Sequence, residues 1–244
     1  MSRKTALLLI SICTISLSFT SKHQKSVTDG FAVIELFTSE GCSSCPPADA
    51  LVARIEKENQ DKPVYILSYH VDYWDRLGWK DTFSNRIFSQ RQNQYAKWLN
   101  LSSVYTPQIV VNGSREFVGS EEKTLRSAIT SSLSEKGKAK LAISISGQSI
   151  IDYQINQSTL GYNLLLALIT PNASNKIERG ENKGKTLSHV QIVRSLENFS
   201  LNGKEKGSVN LLTTKGIQQG STEIIALLQN EKTGKITAAA KLKL

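Results

Sequence analysis

Two cysteines three positions apart, Cys42 and Cys45, are the residues of this chain best suited to do chemistry. They lie in Gly41-Cys42-Ser43-Ser44-Cys45-Pro46, between an apolar run and a segment with helical periodicity. A cysteine at the amino end of a helix faces unpaired N–H groups and the positive end of the dipole, which favours its thiolate. Cys45, one turn later, is then placed to attack a mixed disulfide formed at Cys42. A bridge between residues so close in sequence closes too small a loop to staple a fold, so reactivity explains the pair better than stability. Ser43 and Ser44 add no charge between the sulfurs. Zinc needs four ligands, or three and a water, and beyond the two thiols the chain offers only His23, His70 and His189. The single methionine is Met1, which excludes a thioether copper site. No metal and no cofactor is expected.

The elements that must hold this pair follow from periodicity. Phe31 to Phe37 reads as a buried strand. From Pro46 onward, Ala48, Leu51, Val52 and Ile55 recur at helical spacing, and two prolines are tolerated in a first turn. Val64 to Tyr69 is a second strand. A helix is expected from about Asp81 to Leu99, capped by Asp81 or Thr82. Gln108 to Val111, the turn Asn112-Gly113 and a strand near Phe117-Val118 make a hairpin. A helix from Glu121 to Leu133 closes the unit. Beyond a charged boundary at 134–138, about seven short apolar runs are separated by Gly, Asn and Ser, the texture of a β-sandwich. The expected fold class is an α/β domain over 28–134 followed by an all-β, immunoglobulin-like sandwich over 139–244.

The first residues read as a signal peptide over 1–21: Arg3 and Lys4, then an apolar run too short to span a bilayer, then a polar stretch from Lys22. A lipoprotein reading would acylate Cys13, but Ile12 is large where a small residue is expected. The expected location is therefore exported, either periplasmic or secreted, where a close cysteine pair is usually oxidised. With Arg3 and Lys4 removed, 28 basic residues face 21 acidic ones. The excess is dispersed and not interleaved with aromatics, which excludes a nucleic-acid face.

The order of elements, with Tyr105-Thr106-Pro107-Gln108 opening a strand, resembles the thioredoxin fold. The resemblance implies a cis-proline at Pro107 facing the cysteines, and a Thr106 backbone that pairs with an extended client. It also implies a buried acid beneath the cysteines that relays the second thiol's proton. Glu35 alternates with Val33 and Phe37 and is the candidate, although a water-facing Glu35 fits the alternation as well. A narrower resemblance rests on Phe37 to Asp49, His70-Val-Asp-Tyr-Trp-Asp75, Gly78-Trp-Lys-Asp81, Tyr105 to Gln108, Asn112-Gly113 and Arg179-Gly-Glu-Asn182. On these residues the chain resembles the secreted thioredoxin-like family called domain of unknown function 1223. That family implies a fold and a candidate redox site, and no substrate.

Three readings follow. In the first, the chain is an exported thiol–disulfide oxidoreductase. Cys42, Cys45, Pro107 and Glu35 are its catalytic residues, and Thr106, Ser43, Ser44, His70, Trp74 and Trp79 contact clients. Its partners are protein thiols or disulfides of exported clients and an electron-transfer partner. In the second, it is a binding or redox-sensing protein with a static disulfide. In the third and least favoured, Cys42, Cys45 and His70 handle a metal.

Overall fold

The computed structural model describes residues 30–135, 139–147, 149–212 and 222–244. The expected leader, residues 1–21, and Cys13 lie outside the described residues. Ala32–Thr38 (β1) is buried along its whole length, as its nearly unbroken apolar run requires. It lies between Val64–His70 (β2), which is parallel to it, and Gln108–Val111 (β3), which is antiparallel. Pro46–Glu58 (α1) begins with its two prolines in the first turn and packs Ala48, Leu51, Val52 and Ile55 onto Ile34 and Leu36 of β1.

After β2 comes a short 3-10 helix over Asp72–Leu77, then Arg86–Trp98 (α2). The cap of α2 is Asn85, whose Oδ1 accepts from the Ile87 N–H at 3.0 Å. Asp81 and Thr82, the expected caps, lie upstream of it, and Asp81 is instead bonded to His70. Arg115–Val118 (β4) pairs with β3 across Asn112-Gly113, both with positive φ as a tight hairpin turn demands. A Cβ on Gly113 would lie 2.0 Å from the Gly234 carbonyl oxygen, so two turns from opposite halves of the chain pack backbone against backbone. Glu122–Ser134 (α3) follows.

The remaining strands are Leu141–Ile145 (β5), Ile150–Ile155 (β6), Tyr162–Lys176 (β7), Thr186–Ser200 (β8), Lys206–Asn210 (β9), Glu223–Asn230 (β10) and Ile236–Lys243 (β11). Four of them extend the first sheet, giving eight strands in the order β11-β10-β7-β8-β2-β1-β3-β4. The other three form a small sheet, β5-β6-β9, over a core containing Ile151, Leu164, Leu166 and Leu228. The strands beyond 138 thus make two facing layers, but the larger layer is continuous with the sheet of the first half. The whole is a mixed α/β structure with one large sheet.

β8 joins β2 through a single registered pair, Ser68 with Ile192, supported by Ser68 Oγ donating to the Val190 carbonyl at 2.8 Å. At the next residue, Gln191, φ is +51°, a left-handed value that bends the strand. Its side chain donates to Glu56 of α1 at 2.7 Å, so the first residues of β8 run across α1 rather than along the sheet.

Glu35 is buried on the face of β1 that α2 covers, together with Val33 and Phe37. Its carboxylate accepts from Arg91 Nε at 2.6 Å and from the Tyr95 hydroxyl. Arg91 reaches on to Gln229 of β10, so one ionic group ties α2, β1 and β10 together. The expectation of an acid beneath the cysteines is therefore corrected: α1 packs on the opposite face of β1. Burial would push the Arg91 pKa down, but the adjacent Glu35 carboxylate outweighs it and raises it. Arg91→Met would leave that carboxylate buried without its cation, which costs about 3–5 kcal/mol. Urea titrations should show that loss, and Arg91→Met with Glu35→Gln should recover much of it. Equal stability of wild type and Arg91→Met would refute the ion pair's structural role.

Candidate functional site

Cys42 and Cys45 are joined in a disulfide with their Cα atoms 5.4 Å apart. Cys45 is the N-cap of α1: its carbonyl accepts from the Ala48 and Asp49 N–H groups at 2.9 and 3.1 Å. The pair thus stands at the open, positive end of a thirteen-residue helix. Cys42 Sγ lies 3.3 Å from Ser44 Oγ, which in turn is 3.5 Å from the Thr106 carbonyl oxygen. The Thr106–Pro107 bond is cis, and Pro107 is buried. Gly119 fits against it: a Cβ there would be 3.0 Å from Pro107 and 3.2 Å from Ala48. Trp74 donates to Thr106 Oγ1 at 2.8 Å and packs near Gly41. Ser43, Ser44, Trp74, Thr106 and Pro107 are thereby gathered around the cysteines.

Both cysteines are nevertheless 0% exposed. Residues 177–185, the loop joining β7 to β8, bond to the backbone on either side of Cys42. Asn182, itself fully buried, donates through Nδ2 to the carbonyls of Glu40 and Cys42, each at 2.9 Å. Its Oδ1 accepts from Lys185 Nζ at 2.9 Å. Glu181 Oε2 accepts from the Ser43 N–H at 3.0 Å, and hydrogen bonds from the Ser43 hydroxyl and N–H hold its carboxyl below the usual range. Gly180 lies against Trp79, where an added Cβ would meet the Trp79 Cβ at 3.1 Å.

A profile described as "Protein of unknown function (DUF1223)" matches residues 33–229. The chain belongs to the DUF1223 family. Its structure is similar to that of protein AGR_C_4864 from Agrobacterium tumefaciens, with a TM-score of 0.70 and 27% identity, covering 87% of this chain and 93% of that one. It is also similar in fold to HBP35 of Porphyromonas gingivalis, with a TM-score of 0.60 and 13% identity over 88% of this chain and 76% of that one. No curated protein sequence matches it.

In this DUF1223 protein the covering arm is held by a buried polar cluster that local sequence reading missed. Glu40, two residues before Cys42, is its hub. Its carboxylate accepts from Asn175 of β7 and from Trp79 Nε1, both at 2.8 Å, and its N–H donates to Asp81 at 2.8 Å. His189 of β8 stands 3.6 Å from Glu40 and 3.4 Å from Asp49, one turn beyond Cys45. Asp49 also accepts from Thr38 Oγ1 at 3.1 Å. His70 is corrected from client contact to structural partner: it is 0% exposed, 2.6 Å from Asp81, and its ring centroid is 4.6 Å from that of His189. Burial would raise the Asp81 pKa, but His70 and the Glu40 and Phe83 N–H groups outweigh it and lower it. Trp79 is likewise occupied by Glu40 and Gly180. Among the described residues, no group of three or more His, Cys, Asp or Glu is arranged to hold a metal ion. The one sequence signal for the cover was the Arg179-Gly-Glu-Asn182 segment, whose target 140 residues upstream no local pattern reveals.

Burial would depress the His189 pKa, but Asp49 and Glu40 outweigh it and raise it to about 9. A raised folded pKa adds stability that is complete below the ordinary value of 6.5 and disappears as pH climbs through about 9. Urea midpoints should therefore fall across that window in wild type and stay flatter in His189→Gln. Superimposable pH profiles would refute a charged His189.

Proposed function

We propose that this chain is an exported, thioredoxin-like thiol–disulfide exchange protein acting on protein clients through Cys42 and Cys45. The observation that carries this reading is the disulfide at the amino end of α1, linked through Ser44 to the carbonyl that precedes the cis Pro107. The order of β1, α1, β2, α2, β3, β4 and α3, with the cis-proline opening β3, supports the thioredoxin likeness. Export rests on the leader-like residues at the start of the sequence and on a redox pair kept as a disulfide.

The chemistry balances without any cofactor. A client thiolate attacks Cys42 Sγ, forming a client–Cys42 disulfide while the Cys42–Cys45 bond breaks and its electron pair leaves on Cys45 Sγ. A second client thiolate then attacks the client sulfur of that mixed disulfide and expels Cys42 as thiolate. The client gains a disulfide and the chain holds a dithiol, which a disulfide-bearing partner protein reoxidises. The α1 dipole, and the Ser44 hydroxyl 3.3 Å from Cys42 Sγ, stabilise the leaving Cys42 thiolate. Thr106, Trp74 and Ser44 form the edge on which an extended client segment would lie.

The full burial of both sulfurs favours a second reading, in which the disulfide is static or senses redox state without turnover. One experiment separates the two. Reduced Cys45→Ser, mixed with a disulfide-bearing peptide, should accumulate a mixed disulfide at Cys42 detectable by mass. Wild type should release the peptide, and Cys42→Ser should form no adduct. If Cys45→Ser also fails to form one, the exchange reading is wrong and the static reading stands.

A further inference from the structure

The cover over the disulfide is built unlike a core. Among the described residues, Asn182 is the only side chain that donates to the Cys42 carbonyl, and it arrives from a loop 140 residues away in sequence. The neighbouring residues of that loop, Glu178 to Glu181 and Lys183 to Lys185, are exposed. Ser43 and Ser44 on the facing side are exposed as well. The buried disulfide is thus flanked by polar contacts from an exposed loop. Glu181 places its carboxylate on the Ser43 N–H, at the helix end that would otherwise stabilise a Cys42 thiolate. The backbone groups it and Asn182 occupy are those flanking the reactive cysteine, where an incoming client chain would need room.

We propose that the loop over 177–185, acting through Asn182 and Glu181, is a latch that closes on the Cys42–Cys45 disulfide and must lift before any thiol reaches Cys42. The inference rests on the exchange chemistry proposed above. Asn182 and Glu181 are positioning residues in it: neither takes part in bond making. With the latch down, Asn182 fills the approach to Cys42, and the Glu181 carboxylate opposes negative charge on a freed Cys42 sulfur. With it raised, Ser43 N–H and the Cys42 carbonyl are released to pair with a client segment. The strands that carry the loop are held in place by Asn175 and His189.

The test is the rate at which dithiothreitol reduces the disulfide of the folded protein, read by maleimide mass tagging, in wild type, Asn182→Ala and Glu181→Ala. Wild type should react much more slowly folded than in denaturing urea, with a rate nearly independent of urea at low concentration, the mark of a local opening. Asn182→Ala should speed the folded-state reaction by about tenfold or more, since both hydrogen bonds to the Glu40 and Cys42 carbonyls are lost. Glu181→Ala, an exposed site that leaves the fold intact, should speed it less, and should lower the pKa at which reduced Cys42 is alkylated. Folded wild type reacting as fast as unfolded chain would overturn the latch while leaving exchange chemistry possible. So would variants no faster than wild type, with a urea dependence equal to that of global unfolding. Fast reduction of Asn182→Ala, combined with no mixed disulfide in Asn182→Ala/Cys45→Ser, would support the latch and refute the exchange reading.

Discussion

The structure around the cysteines depends on the bend at Gln191. A side chain other than glycine at a left-handed φ costs roughly 1–2 kcal/mol. Here it is offset by the bond from Gln191 to Glu56 and by the anchoring of Val190 to Ser68. Because β8 turns at that point, the paired arm of β7 and β8 leaves the plane of the large sheet and crosses α1. Its loop then reaches the helix end where the disulfide lies. Without the bend, the second half of the chain would only widen the sheet. With it, residues from that half complete the surroundings of a site whose chemistry is encoded in the first half.

The contact surface the arm makes is ionic, and this shapes its energetics. Three carboxylates, Glu40, Asp49 and Asp81, and two imidazoles, His70 and His189, are buried where arm, α1 and the segment after β2 meet. Taking each ion out of water costs several kcal/mol, recovered only when partners and hydrogen bonds are complete. An apolar interface of the same size would gain energy from burial itself and would hold more firmly. A polar one returns hydration to every group that is exposed, so separating it costs less than its number of bonds suggests. The Glu35–Arg91–Tyr95 group on the other face of the sheet is different. It lies among Phe37, Tyr69 and Phe88, and it ties α2 to β1 and β10.

What could be read in the sequence was whatever depends on local geometry. Cys42-Ser-Ser-Cys45 before a helix, the Thr106-Pro107 strand entry and the Asn112-Gly113 turn are short patterns whose conformations are set by neighbouring residues. Glu35 shows the limit of such reading. Alternation along β1 identified it as one of a set with Val33 and Phe37, but a strand carries no mark of which helix will cover which face. Asp81 shows a second limit. It has the residue type of a helix cap, yet the pairing with His70 at the end of β2 claims it first, and Asn85 caps the helix four residues later. The continuity of the sheet was not legible, because one parallel pair, Ser68 with Ile192, decides it. Short runs of apolar residues fit a separate sandwich and an extended sheet equally well.

The burial of the disulfide is compatible with a purely structural bond only if that bond stabilises the chain enough to be worth hiding. A loop of four residues yields about 2 kcal/mol in the chain-entropy account, less than a bridge closing a long loop would give. The sulfurs are not shielded by the main cores either: those cores hold Ile34, Leu36 and Leu51 on one side and Phe37 and Tyr69 on the other. Beside them a buried asparagine amide within an exposed loop is bonded to the backbone carbonyl of Cys42 itself. A fold that needed only to protect a static bond could do so with an apolar side chain, at no cost in buried polar groups. Spending two hydrogen bonds and a carboxylate on the backbone beside Cys42 has physical sense when the same backbone is to be offered to another chain.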